Sequence, residues 1–103
     1  MNLIKKVQEN NGKKKGLQKE SRENRENKSY CEKLLIQYEM LDEENEILIS
    51  QIEEIKDLVQ MGYNEVTFLK KVSEKFNFID LKDAVDTREY YFTRFSAIAR
   101  RCL

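Results

Sequence analysis

The side chains in this chain that could do chemistry are adjacent carboxylates, two cysteines and a run of lysines. General acid–base work by a pair such as Glu43 and Glu44, or Glu53 and Glu54, needs surroundings that split the two pKa values, usually by burial or a fixed neighbouring charge. Both pairs fall on the outer face of an expected helix, where water equalises them. The 103 residues include no histidine, so the commonest general base is missing, and with it the serine, cysteine and zinc sites that depend on it. Cys31 and Cys102 lie too far apart in sequence to suggest a metal knuckle, and two cysteines do not make a disulfide scaffold. The stretch "GKKKG", Gly12 to Gly16, has no preceding strand and lacks the spacing of a phosphate-binding loop. The expectation is a chain without catalysis, cofactor or metal.

Binding is the remaining kind of chemistry, and charge is where it would start. Residues 1–33 hold ten Lys/Arg against five Asp/Glu, net +5; residues 34–62 hold one against eight, net −7; residues 63–103 hold eight against six, net +2. The overall zero charge therefore hides a basic N-terminal part, an acidic middle and a mildly basic tail. Lys13, Lys14, Lys15, Lys19, Arg22 and Arg25 are the candidate nucleic-acid contacts, supplemented by Arg94, Arg100 and Arg101 near the other end.

The elements that would position these groups are helical. No proline is present, which removes the strongest helix breaker. Residues 1–29 carry Gly12, Gly16, many amides and charges, and only scattered apolar side chains. That composition predicts a flexible basic arm, with at most a short helix over Leu3 to Val7. From residue 30 to 61 the spacing changes to alternating threes and fours: Cys31, Leu34, Tyr38, Leu41, Asn45, Leu48, Ile52, Ile55, Val59. These are a and d positions of four heptads, spanning roughly 43 Å at 1.5 Å per residue. Asn45, a lone amide at an a position, is the residue type that fixes the register of a parallel two-stranded zipper by bonding its own copy. The expected fold is thus all-α: a parallel dimeric coiled coil, leucine zipper-like, with a disordered basic arm and a small C-terminal helical module. Its dimer interface would be Leu34, Tyr38, Leu41, Asn45, Leu48, Ile52, Ile55 and Val59, with Cys31 close enough to its copy for an intermolecular disulfide under oxidation. The alternative places the same helix in an intramolecular bundle. Leu35, Ile36, Met40, Ile47, Ile49 and Leu58 lie outside the seam and call for a cover, either the C-terminal region or a separate partner.

Gly62 fits the left-handed position that ends a helix. Residues 62–103 then read as the C-terminal module, with helices over about 64–76, capped by Asn64, and about 80–102, capped by Asp80. The faces expected are Val66, Leu69, Val72 and Phe76, with Phe68 beside them, and then Leu81, Val85, Arg88, Phe92, Phe95, Ala99 and Cys102 at helical spacing. No apolar run reaches the roughly 18 to 20 residues a membrane span needs, and the N-terminus lacks a secretory h-region. An intracellular protein, cytoplasmic or nuclear, is the expectation.

Two partial resemblances bear on function. "KESRENRENKSYCEKLL" followed by "LDEENEIL" has the cadence of a bZIP transcription factor. It departs from that family where an asparagine should be followed eight residues later by an arginine: Asn24 leads to Glu32 and Asn27 to Leu35. Residues 55 to 85, with "IKDLVQMGYNEVTFLKKVSEKFN", are similar to ubiquitin-associated (UBA) domains. In that family a Met-Gly-Phe/Tyr loop contacts ubiquitin, and here Met61, Gly62 and Tyr63 match it; Lys71 replaces a small residue usual in the second helix. The function expected is a homodimeric coiled-coil assembly or adaptor protein that presents its C-terminal modules to a protein partner, with Met61, Tyr63, Phe68, Phe92 and Phe95 as candidate contacts. The alternative is a nucleic-acid-binding accessory or regulatory factor using the basic arm. A UBA-like ubiquitin-binding module is the lesser one.

Overall fold

In the computed structural model the backbone is described for residues 2–102 and the side chains for residues 2–96. The described residues form four helices: α1 (Leu3–Glu23), α2 (Lys28–Gln60), α3 (Glu65–Lys75) and α4 (Leu81–Cys102). The described residues form no strand. The expected all-α class holds. Ala99, Arg100, Arg101 and Cys102, named above, lie outside the residues whose side chains are described.

The largest departure from the sequence reading is at the N-terminus, where a 21-residue helix stands in place of the expected flexible arm. Asn2 caps it, its side-chain oxygen accepting from the Lys5 N–H at 2.9 Å. Residues 24–27 reverse the chain, and Asn27 caps α2 by accepting from Tyr30 N–H at 3.1 Å. Helices α1 and α2 then run antiparallel as a hairpin. Asn10 lies opposite Asn45, Lys14 opposite Asp42 and Gln18 opposite Tyr38. Few apolar residues are available on α1, which explains why composition alone argues for disorder. Leu3, Ile4 and Val7 dock its first turns on the core, and beyond them charge and amides take over: α1 carries seven basic and three acidic residues, net +4, and faces a 33-residue helix with three basic and nine acidic, net −6.

Helix α2 stops where Gly62 adopts φ +78°, a conformation that costs a residue with a Cβ roughly 1 to 2 kcal/mol. Asn64 caps α3 through the Thr67 N–H at 2.9 Å, and Asp80 caps α4 through the Lys82 N–H at 2.9 Å. These starts agree with the sequence reading to within a residue.

The core gathers at the C-terminal half of α2. Leu48, Ile52, Ile55 and Leu58 meet Phe68 and Val72 of α3, Ala84 of α4 and Leu3 of α1. On α3 the expected face holds at Val72, with Leu69 and Phe76 packed against the core, whereas on α4 the expected face comes out rotated. Val66 and Leu81 are exposed, while Phe68, Ala84 and Thr87 are fully buried. Large apolar residues spaced along α4 pointed to the Leu81–Phe92 side. The helix instead turns its small residues inward, because Ala84 and Thr87 let it approach α1 closely enough for Leu3 N–H to donate to Thr87 Oγ1 at 3.2 Å.

Candidate functional site

Asn45 was expected to find its amide partner in a second copy of the chain. The structure supplies partners from α1. Asn10 Nδ2 donates to Asn45 Oδ1 at 3.0 Å, and Asn45 Nδ2 donates to Asn11 Oδ1 at 3.0 Å. Asn10 and Asn45 are each 5% exposed, so the bonds lie in surroundings where an unpaired amide would be costly. The eight proposed interface residues are placed accordingly. Leu34, Asn45, Leu48, Ile52 and Ile55 are buried within the chain, and Tyr38, Leu41 and Val59 are half-buried. Val59 packs against the core cluster. Cys31 does not stand open for a copy either: its thiol donates to the backbone carbonyls of Asn24 at 3.3 Å and Ser21 at 3.5 Å, tying the hairpin turn. A parallel zipper through this seam would require α1 to leave it.

Of the candidate cationic contacts, Lys14 is engaged internally, paired with Asp42 and lying 5.0 Å from the Tyr38 ring centroid. Asp42 raises its pKa, chiefly through their hydrogen bond. Lys13, Lys15, Lys19, Arg22 and Arg25 are exposed. At 100° per residue, Lys15, Lys19 and Arg22 fall on the outer side of α1 together with Lys5. A further cation sits in a position the sequence did not signal. Lys6 pairs with Asp83, whose side chain is only 3% exposed. Burial pushes the Asp83 carboxyl up, but the positive charge bonded around it, that of Lys6 included, overrides that and holds the group below the usual carboxylate range. The same bond raises Lys6.

The proposed partner contacts in the C-terminal module separate into core and surface. Phe68 is fully buried, so it is a core residue. Arg88 lies 5.6 Å from the Phe68 ring centroid and 5.8 Å from that of Phe92, and it donates to the Tyr63 carbonyl at 3.3 Å. Tyr63 is half-buried with Lys71 over its ring at 4.8 Å, and Phe95 stacks on Tyr91 at 5.9 Å. Met61 and Phe92 remain exposed. Phe78, on the turn between α3 and α4, is 98% exposed, and the sequence reading gave it no role.

The apolar residues outside the seam divide in the same way. The C-terminal region covers Leu58, but Leu35, Ile36, Met40, Ile47 and Ile49 stay exposed on α2. Ile36, Met40 and Ile47 form a single stripe, within about 40° of arc, on the side of α2 turned away from α1. Among the described residues no cluster of His, Cys, Asp and Glu could hold a metal ion, and no helix is long and apolar enough to cross a membrane. Compared with known proteins, the chain matches no family model, no curated protein and no solved structure.

Proposed function

We propose that this chain is a non-enzymatic helical adaptor that binds a protein partner through the outer face of α2. The observation that supports this most is the line of three large apolar side chains left open on the side of that helix turned away from α1, Ile36, Met40 and Ile47. Inside the fold the polar groups are satisfied: no buried side-chain nitrogen or oxygen among the described residues lacks a hydrogen-bond partner. Exposed aliphatic groups on a rigid helix are the raw material of helix-in-groove recognition. The hairpin serves as the stiff support, and the core at its far end holds the hairpin closed. Affinity capture with the intact chain, run beside an Ile36→Glu/Ile47→Glu variant, tests the reading. The adaptor expects specific partners retained by the first and lost by the second. Identical captures by both would refute it.

A second reading keeps the parallel homodimer and is favoured by the unbroken heptad register of residues 31–59 together with the sparse apolar content of α1. In it, α1 swings off the seam and two copies zip along Leu34, Leu41, Leu48 and Ile55, presenting two C-terminal modules at raised effective concentration. Light scattering distinguishes the readings, since only the second expects a dimer whose formation depends on those residues. The exposed row Lys5, Lys15, Lys19 and Arg22 supports a nucleic-acid alternative, which predicts a steep loss of duplex binding with added salt.

A further inference from the structure

Taking the adaptor reading as its basis, we infer that the stripe Ile36, Met40 and Ile47 is a docking surface for a cationic amphipathic helix of another protein. The three side chains are 58%, 64% and 60% exposed. They span three turns of α2, on the order of 16 Å at 1.5 Å per residue. Leu35 and Ile49 point about 100° or more away from this line and are not part of it. Acids predominate along the stripe: Glu32, Glu39 and Glu43 border one edge, and Glu44 borders the other beyond the single cation Lys33 at its N-terminal end, all exposed. An apolar line between carboxylates complements a helix that carries aliphatic residues at successive turns and Lys or Arg beside them.

Charge also argues against a second copy as the occupant. Two α2 stripes placed face to face would bring Glu39, Glu43 and Glu44 of one copy against the same acids of the other, which is destabilising. The outer face of α1 has the right sign but no apolar groups, because Leu3, Ile4, Val7 and Leu17 are turned inward or half-buried. The exposed side of α4 around Leu81 and Phe92 is edged by Lys82, Asp86 and Glu89, a mixture of signs that gives no complement. A foreign helix with basic flanks satisfies both requirements at once.

The test uses the full chain and a fluorescent peptide of about five helical turns built from leucine and lysine in heptad order. Two comparison peptides accompany it: one of the same composition scrambled to abolish the apolar face, the other with glutamate in place of lysine. Anisotropy should show binding of the first peptide only. Met40→Glu and Ile47→Glu should each weaken it at least about tenfold, the loss typical of a central interface contact. Glu43→Lys should weaken it less and flatten its dependence on salt, and Ile49→Glu, off the stripe, should leave it unchanged. All four sites are exposed, and circular dichroism verifies that the variants fold. Equal binding of the scrambled peptide, indifference to Met40→Glu and Ile47→Glu, or a homodimer that Ile47→Glu dissolves would each overturn the inference. Should capture of partners by the intact chain still depend on Ile36 and Ile47 while the cationic peptide fails, the adaptor reading survives and only the partner's chemistry is refuted.

Discussion

Truncating the amides at the centre of the hairpin has a cost that can be worked out from their bonds. Asn45→Ala removes the acceptor used by Asn10 Nδ2 and strands that donor at a position 5% exposed. A lost bond contributes about 1 kcal/mol and an unsatisfied buried group about 1 to 3. Asn11 is exposed, so water replaces its contact at little cost. The single variant should therefore lose about 2 kcal/mol, a sizeable part of the 5 to 15 kcal/mol typical of small proteins. Asn10→Ala should cost a similar amount, because it orphans Asn45 Oδ1 while leaving the bond from Asn45 to Asn11 intact. The double variant has nothing left to orphan across this pair. It should fall short of the sum of the singles by at least about 1 kcal/mol, well beyond the 0.3 to 0.5 within which independent sites add. Urea unfolding followed by far-UV circular dichroism, at two widely separated protein concentrations, measures all three. Additive losses would refute the pairing. A silent Asn10→Ala with a concentration-dependent midpoint would instead place the partner of Asn45 in another copy.

Gly12 and Gly16 sit inside α1 on its solvent side, where an added Cβ would meet nothing within 4 Å. Gly12→Ala and Gly16→Ala should each raise stability by about 0.5 to 1 kcal/mol in thermal or urea melts, whereas a disordered arm would leave the melts unchanged. Because the folded carboxyl of Asp83 lies below its unfolded value, its contribution is fully present above the ordinary aspartate pKa of about 3.9 and is lost as the pH falls through the lower folded value. Wild-type stability measured down that acid range should therefore decline more steeply than that of Asp83→Asn; parallel curves would contradict a carboxyl held below its ordinary range.

What could be read from the sequence was local, and what escaped it was the choice of partner. The caps at Asn64 and Asp80 and the stop at Gly62 are set by residues within a few positions of one another, so spacing reveals them. The seam of α2 was legible too, since Leu34, Leu48, Ile52 and Ile55 are buried as the heptads require. Heptad spacing records that a face is covered and is silent about what covers it. A second copy and the chain's own N-terminal helix leave the same imprint on α2. The helix α1 escaped because hydropathy weighs apolar side chains, and past Leu3, Ile4 and Val7 its contacts run through Asn10, Asn11, Lys14 and Gln18. On α4 the misreading came from size: Leu81 and Phe92 drew attention to one face, when Ala84 and Thr87 mark the side that can approach another backbone. The exposed stripe on α2 was visible from the start as residues that fit no seam.

The bond from Leu3 N–H to Thr87 Oγ1 joins positions 84 apart in sequence, and it has a consequence for the order of assembly. As the chain leaves the ribosome, α1 is made early, yet the socket for its first turn is completed only when Ala84 and Thr87 emerge. Contacts of such long sequence separation form late and slow the final closure. A waiting helix rich in lysines and amides is less prone than an oily one to stick to neighbouring nascent chains, so the water-loving composition that obscured α1 also suits it to its long wait.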